Sequence, residues 1–363
     1  MEKQALLQHR LNNQLLSNVQ FETVEETVKW MGAIQGQDYA PGLWAMGMRA
    51  PSLTKADIER SLEDIKIVRS WTMRHTIHFV AIEDLHWMVQ LSKEKMLQRY
   101  KNHMKKEAGL EESILSQSLD VFVKSLEGKK LLSRPAIRET LETAGIDTSK
   151  QRLYHLLWHA AQKGLIFIGP TEGKQQTFGL TADWISNVKP LSREEALHKL
   201  TVRYLQSHGP ATVKDFSWWA GLTQKEATLG FHLAESELFI RDESKTEYWY
   251  LPSEQQTNTL VSEKIHLIYS LDELLIGYKD RTASWSREMQ SKLDPQRTGY
   301  VLPILLNGEV IGSWKAVVKK ENLFMEFTLA TSLEIPVDLL NDEAEQYSRF
   351  FGLTLVDVAV YRV

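Results

Sequence analysis

Ile67-Val68-Arg69-Ser70-Trp71-Thr72-Met73-Arg74-His75-Thr76-Ile77-His78-Phe79-Val80 is the stretch on which the fold turns. It is rich in β-branched and aromatic residues and reads as a strand or hairpin. In extended backbone Val68, Thr72, Arg74, Thr76 and His78 share one side, an unusually cationic face. Helices precede it. Residues 2–17 read as one. Thr23-Val24-Glu25-Glu26 is a capping box opening a second, with Val24, Val28, Met31 and Ile34 on one face until Gly36. A short third runs from Thr54 to about Glu63. Helices followed by a β-ribbon are the order of a winged helix.

The order recurs twice. A helix over 111–127, a second opened by Ser133-Arg134-Pro135 and a third over 151–163 lead to a hairpin from Leu165–Ile168 and Thr177–Leu180. In the third helix Leu153, Leu156, Leu157, Ala160 and Ala161 make a core stripe, while Arg152, His155 and His159 lie on another face. Capping boxes at Ser192–Glu195 and Thr223–Glu226 open further helices, with strands expected at Leu238–Arg241 and Tyr248–Leu251. The C-terminal part differs. Leu267–Arg281 reads as a strand running into a polar loop. Tyr300–Leu306, Glu309–Lys319 and Leu323–Leu329 read as a meander turned at Asn307-Gly308. A helix from Pro336 to Phe351 and a strand Thr354–Val360 close the chain. The expected architecture is α+β: three tandem winged-helix (helix-turn-helix) domains and a β-rich domain. Their boundaries are 1–108, with a basic helical extension, then 109–190, 191–260 and 261–363.

Composition is that of a globular chain, 43% apolar and 25% charged. No run of about 18 apolar residues suggests a membrane span, and the polar start Met1-Glu2-Lys3-Gln4 resembles no secretory signal. The expected location is the cytoplasm. The absence of cysteine excludes disulfides, thiolate catalysis and Cys-ligated zinc. A net charge of −4 leaves any nucleic-acid surface to local patches. The strongest is in the helix over 84–106, where Lys93, Lys95, Arg99, Lys101, Lys105 and Lys106 are interrupted between Lys93 and Lys106 by one acid, Glu94. Such a run is either a solvated face or a phosphate-contacting patch. In a winged helix the third helix can enter a major groove, which singles out Arg152, His155 and His159 in the second copy. Lys279-Asp280-Arg281 reads equally as a phosphate clamp or a surface ion network.

Metal chemistry finds no support. His155 and His159 are spaced as in zinc proteases, but the glutamate that should follow the first histidine is missing. His75 and His78 would face opposite sides of a strand. No metal or cofactor is expected.

The candidate site is Ile34-Gln35-Gly36-Gln37-Asp38. In extended backbone residues two apart face one side, so Gln35 and Gln37 would present two neutral amides to one space, enough to hold a water or polar ligand. The alternative is two surface glutamines at a helix end. Asp38 would point away from Gln37 and reads as a cap or turn residue.

Several of these segments resemble one family, the winged-helix DNA glycosylases of the AlkZ and YcaQ type. Gln35-Gly36-Gln37-Asp38 is similar to its glutamine–X–glutamine catalytic motif. Val68–His78 is similar to its arginine, methionine-arginine-glycine-threonine-leucine-histidine signature. Asp272-Glu273 with Tyr278-Lys279-Asp280-Arg281 resembles a later segment, and Pro303–Gly308 with Gly312–Lys315 its C-terminal hairpin. Gly36 stands where the family has a small or aliphatic side chain, and His75 where it has glycine. The resemblance implies three winged helices and a β-rich region around a concave DNA channel. It implies excision of cationic N-alkylated purines from double-stranded DNA, with Gln35 and Gln37 at the reacting sugar. Bulky adducts or crosslinks would be further substrates. Arg69, Arg74, His75, His78, Lys93, Lys95, Arg99, Lys101, Lys105, Arg152, His155, His159, Lys279 and Arg281 are the residues expected to hold DNA, with the protein acting as a monomer. Two other readings of the residues stand beside this one. One is a non-enzymatic winged-helix transcription regulator, with no need of the glutamine pair. The other is a protein-interaction scaffold, consistent with the acidic net charge.

Overall fold

The computed structural model describes residues 1–17, 20–185, 190–237, 240–242, 246–250, 263–293 and 301–363. The chain forms two compact units, one from Met1–Ile58 together with Thr201–Val363, the other from Glu59–Leu200. Both helices and strands are abundant, the α+β class expected.

The first unit opens with α1 (Lys3–Asn13), shorter than the helix expected over 2–17 because Leu15 turns into the left-handed region at φ 62°. In α2 (Val24–Met31) the Thr23 side chain accepts from the Glu26 N–H, and Val24, Val28 and Met31 are buried. The terminator is Gly32, at φ 74°, and not Gly36. Ile34–Gln35 follows as the extended segment β1. Asp38 takes the N-cap position of α3 (Tyr39–Arg49), without a side-chain cap bond. Then comes α4 (Lys55–Glu63), capped reciprocally by Thr54 and Asp57.

The second unit is organised by the opening stretch of sequence. It folds as the antiparallel hairpin β2 (Ile67–Met73) and β3 (Thr76–Ala81). Arg74 and His75 form its tip, both left-handed at φ 50° and 65°, the pattern of a type I′ turn. The expected cationic face is therefore corrected. Arg74 leaves the strand, and every residue of β2 is buried, so no exposed cationic ridge runs along it. The long helix α5 (Ile82–Ala108) ends where Gly109 turns left-handed. After it come α6 (Glu112–Leu126), β4 (Leu131–Ser133), α7 (Arg134–Thr143) with Pro135 in its first turn, α8 (Arg152–Gln162), β5 (Ile166–Glu172), β6 (Gln175–Leu180) and α9 (Thr181–Trp184). Within this unit the strands run β3-β2-β5-β6-β4, each antiparallel to its neighbour. The predicted stripe of α8 packs with Phe122, Leu126, Ile137, Leu141 and Phe178 into one core. The short strand β4 is an addition that the sequence pattern did not announce.

The chain returns to the first unit through α10 (Arg193–His208), opened by the Ser192–Glu195 capping box. It continues with α11 (Val213–Ala220) and α12 (Gln224–Ala234), each with a complete capping box. The strands β7 (Ile240–Asp242) and β8 (Tyr248–Tyr250) pair antiparallel. Leu238, Phe239, Leu251 and Tyr300, which the expected strands included, lie outside the described residues. Tyr204, Phe216, Trp219, Phe231 and Trp249 are buried together at the centre of this part.

The strand expected to run from Leu267 into a polar loop is corrected. It stops as β9 (Ile265–Leu267), and Asp272 caps a one-turn helix, α13 (Glu273–Ile276), by accepting from the Leu274 N–H at 2.9 Å. A short α14 (Arg287–Lys292) follows. The meander appears as expected: β10 (Leu302–Leu306), β11 (Glu309–Lys319) and β12 (Asn322–Leu329). Asn307 and Gly308 make its tight turn at φ 49° and 87°. The helix α15 (Val337–Phe351) crosses back so that β13 (Thr354–Arg362) lies parallel to β12. The sheet order is β13-β12-β11-β10-β9. Trp44 of α3 meets Tyr347 and Phe350 of α15 edge-on, joining this sheet's helix to the glutamine-bearing segment.

Candidate active site

Gln35 ends β1 and is 3% exposed, whereas Gln37, two residues on, is exposed. The Gln35 backbone is fixed on both sides. Its N–H donates to Oε1 of Glu273 at 2.8 Å, and its carbonyl accepts from the Tyr269 hydroxyl at 2.9 Å. Its side-chain Oε1 accepts from the Gln37 N–H at 3.1 Å, which closes the Gln35-Gly36-Gln37 turn on itself. The core thus fixes the Gln35 backbone, its buried side-chain amide is oriented by the Gln37 N–H, and the Gln37 side chain stands at the surface beside it.

Behind the pair lies a buried ionic and aromatic network. Glu273 has no solvent exposure, and its second carboxylate oxygen accepts from the Trp219 indole at 2.9 Å and lies 3.6 Å from Nε2 of His208. His208 stacks on Tyr204, and its Nδ1 lies 2.8 Å from the Ser207 hydroxyl. Next to it, Arg49 grips Asp272 through two bonds of 2.8 and 2.9 Å, both side chains fully buried. Arg49 also donates to Gln14, whose amide donates to the Tyr278 hydroxyl. Burial disfavours the Arg49 cation, yet Asp272 outweighs it and the guanidinium is held above its ordinary pKa. Burial also pushes the phenols of Tyr204 and Tyr278 up, so both remain neutral donors.

Glu273, Tyr269 and Trp219 were missed as site residues by sequence reasoning. One signal was present: Leu271-Asp272-Glu273-Leu274-Leu275-Ile276 sets two adjacent acids inside an apolar run, and buried carboxylates require partners.

The residues expected to hold DNA are dispersed in role. Arg69 is buried on β2, opposite Phe79, with its guanidinium 5.5 Å from that ring. His78 is buried on β3, with its ring nitrogens 3.1 Å from Thr72 Oγ1 and 3.4 Å from Thr76 Oγ1. His75, at the hairpin tip, stacks on Tyr100 of α5 at 4.1 Å and meets Trp158 edge-on. Burial, with His155, Arg99 and His103 nearby, pushes its imidazole down to about 4. His155 faces His103 at 5.2 Å, and burial lowers its pKa as well. His159 is buried. Arg152 is committed to its own unit: it donates to the Ala108 and Gly109 carbonyls at the end of α5 and to Asp147 O, tying α8 to α5. Lys95, Arg99, Lys101 and Lys105 are exposed along α5, and Lys93 is half-buried. Lys105 pairs with Glu111 at 3.2 Å. Lys279 is exposed, its ammonium 4.4 Å from the Trp218 ring centroid, and Arg281 is half-buried.

The profile of the AlkZ-like DNA glycosylase family matches residues 28–350. A protein of Streptomyces sahachiroi named "Interstrand DNA cross-link repair glycosylase" is 21% identical over 372 residues, covering 97% of each chain. The solved structure of the Streptomyces sahachiroi DNA glycosylase AlkZ superimposes with a TM-score of 0.80 at 20% identity, covering 99% of both chains. A regulator or scaffold without chemistry gives way to an enzyme, and DNA is its partner. Among the described residues no helix is long and apolar enough to cross a membrane. The chain belongs to the AlkZ-like DNA glycosylase family.

Proposed function

We propose that this glycosylase hydrolyses the N-glycosidic bond of cationic N-alkylated purines in double-stranded DNA, with Gln35 and Gln37 orienting the water and facing the sugar cation. Ordinary glycosides need two carboxylates because a poor leaving group must be protonated. A purine alkylated at N7 or N3 is already cationic and departs without a general acid. What remains is to place a water and to tolerate positive charge at the sugar, and fixed amide dipoles do both. The observation that carries this reading is the three-point anchoring of Gln35 by Glu273, Tyr269 and the Gln37 backbone, next to an exposed Gln37. A side-chain amide oriented by the Gln37 N–H on a backbone fixed at both its N–H and its C=O has little to reorganise as charge develops. Both glutamines and their supports come from one chain, so the reading requires no second copy.

The S. sahachiroi relative is named for interstrand crosslink repair. Bulky N7 adducts and crosslinks therefore belong to the proposed substrate range. The exposed cations of α5, Lys95, Arg99 and Lys101, are the proposed backbone contacts. The segments 1–108, 109–190 and 191–260 are proposed to act as winged-helix platforms.

The test is abasic-site formation on a duplex carrying one N7-methylguanine, and on one carrying a bulkier N7 adduct. Wild type should excise at least one of them, and the Gln35→Ala/Gln37→Ala variant should bind the duplex without excising. Undiminished excision by that variant would remove the glutamines from the chemistry.

A further inference from the structure

The side chain of Arg10 is an unusual presence at a surface cleft. It is 3% exposed, and its guanidinium carbon lies 3.5 Å from the Tyr278 ring centroid. Of its five N–H donors one is engaged: Nε donates to the Pro210 carbonyl at 3.1 Å. No described residue accepts from its terminal nitrogens. The same side chain lines a cleft of about 240 Å³ in the first unit, together with Thr212, Lys214, Lys279 and Thr282. Lys214 is exposed and has no ion pair among the described residues. The first turn of α11 also opens here, already capped by Thr212 and Asp215.

Two carboxylates line the cleft, and both are engaged by the protein. Asp215 accepts from Thr212 N, Thr212 Oγ1 and the Lys279 N–H. Asp280 accepts from Thr282 N and Thr282 Oγ1. Their function in the fold is to close turns and cap α11. Three cations, one of them a buried fork with unused donors, line the cleft against two carboxylates that keep their charge, an excess of one positive charge; Asp280, whose pKa is lowered by its Thr282 bonds and then by Arg10, is an anion near the fork. Fork-shaped donors matched to tetrahedral oxyanions are the chemistry of phosphate recognition.

We infer that Arg10, Lys214 and Lys279 form a phosphate-binding subsite, separate from the Gln35–Gln37 pair in its residues and in its task. The ligand is a phosphate oxyanion, either a DNA backbone phosphodiester or a free phosphate. Occupancy can be read without any excision, so this subsite stands or falls independently of the proposed reaction.

The experiment compares the full-length wild type with Lys214→Ala/Lys279→Ala, both surface positions, and with Arg10→Lys, which keeps the charge and loses the fork. One arm measures melting in potassium phosphate against potassium chloride of equal ionic strength. The other measures binding of an unmodified duplex as a function of salt. Stabilisation of wild type by phosphate, abolished in both variants, supports the subsite. If duplex affinity also falls about five-fold or more and the salt slope drops by about one in the double-lysine variant, the occupant is the DNA backbone. Phosphate stabilisation that is lost in both variants while duplex affinity is unchanged assigns the subsite to free phosphate; stabilisation kept in both variants is the general effect of an excluded salt and overturns the inference. No phosphate-specific stabilisation of wild type together with unchanged duplex binding in both variants overturns the inference.

Discussion

The backbone N–H of Gln35 donates to Oε1 of Glu273 at 2.8 Å, across 238 positions of sequence. The other oxygen of the same carboxylate accepts from the Trp219 indole. An amide at position 273 cannot serve both donors, because its NH₂ must face one of them. Glu273→Gln should slow excision about ten- to a hundred-fold, the equivalent of ~1.5–3 kcal/mol for a hydrogen bond to a charged group. Duplex affinity should be unchanged. Single-turnover rates beside a binding isotherm check this, with Trp219→Phe as the control that removes only the second donor. Equal rates for wild type and Glu273→Gln would mean that the anchoring of Gln35 has no part in the reaction.

Arg49 and Asp272 are a bidentate pair without solvent exposure. Removing one partner strands a buried charge, and Asp272 also caps α13. Asp272→Ala should cost about 3–5 kcal/mol in urea unfolding. The Arg49→Leu/Asp272→Leu double variant should lose less than Asp272→Ala alone, since no charge is left unpaired. Additive losses would contradict the desolvation account.

His266 and His159 are buried, and burial pushes both imidazoles down to about 4 from the ordinary 6.5. The fold holds them neutral, so on acidification the unfolded chain takes up protons first. Their contribution is complete above pH 6.5 and is lost as pH falls from there towards about 4. The urea midpoint should decline through that window. His266→Gln keeps a donor for the Leu16 carbonyl and should flatten the decline. A decline in His266→Gln as steep as that of wild type would refute this.

Glu343 in α15 behaves with the opposite sign. Burial raises its carboxyl to about 7, against partial compensation by Lys264. The folded state favours the protonated acid, so this group's contribution is full below pH 4.5 and is lost as pH rises through about 7. Glu343→Gln should stabilise the protein at pH 8, on the order of 1 kcal/mol, and have little effect at pH 4.5. Melting curves at the two pH values distinguish this from a general packing effect, which would be the same at both.

Gly47 of α3 packs against Phe350 of α15 so closely that an added Cβ would sit 2.5 Å from the ring. Helix propensity alone predicts that Gly47→Ala stabilises by up to about 1 kcal/mol. Overpacking costs about 1–3 kcal/mol and should prevail. A lower melting temperature, restored in Gly47→Ala/Phe350→Leu, is the expected result.

Much of the chain was legible in order. The capping boxes at Ser192 and Thr223 formed, as did the Asn307-Gly308 turn and the core stripe of α8, because each is fixed by residues within a few positions of one another. The errors share a cause. Arg74 satisfies the alternation of a strand, yet it takes the left-handed tip with His75, where Asn-Gly is the usual signal. The run after Leu267 is apolar enough for a strand, but Asp272 finds Arg49 and caps a helix instead. Gly36 has the character of a helix terminator, but Gly32, four residues earlier, takes that role.

The sequence by itself determined the α+β class and most element boundaries, since propensity, capping and hydrophobic period are local quantities. Only tertiary structure decided that Gln35 is buried and anchored while Gln37 is exposed, that Glu273 holds Gln35, that Arg152 ties α8 to the end of α5, and that His159 is buried. Those outcomes depend on which distant groups share a low-dielectric space. Burial makes each unpaired donor or charge costly enough that partners hundreds of residues apart must meet, and no short-range pattern specifies which ones.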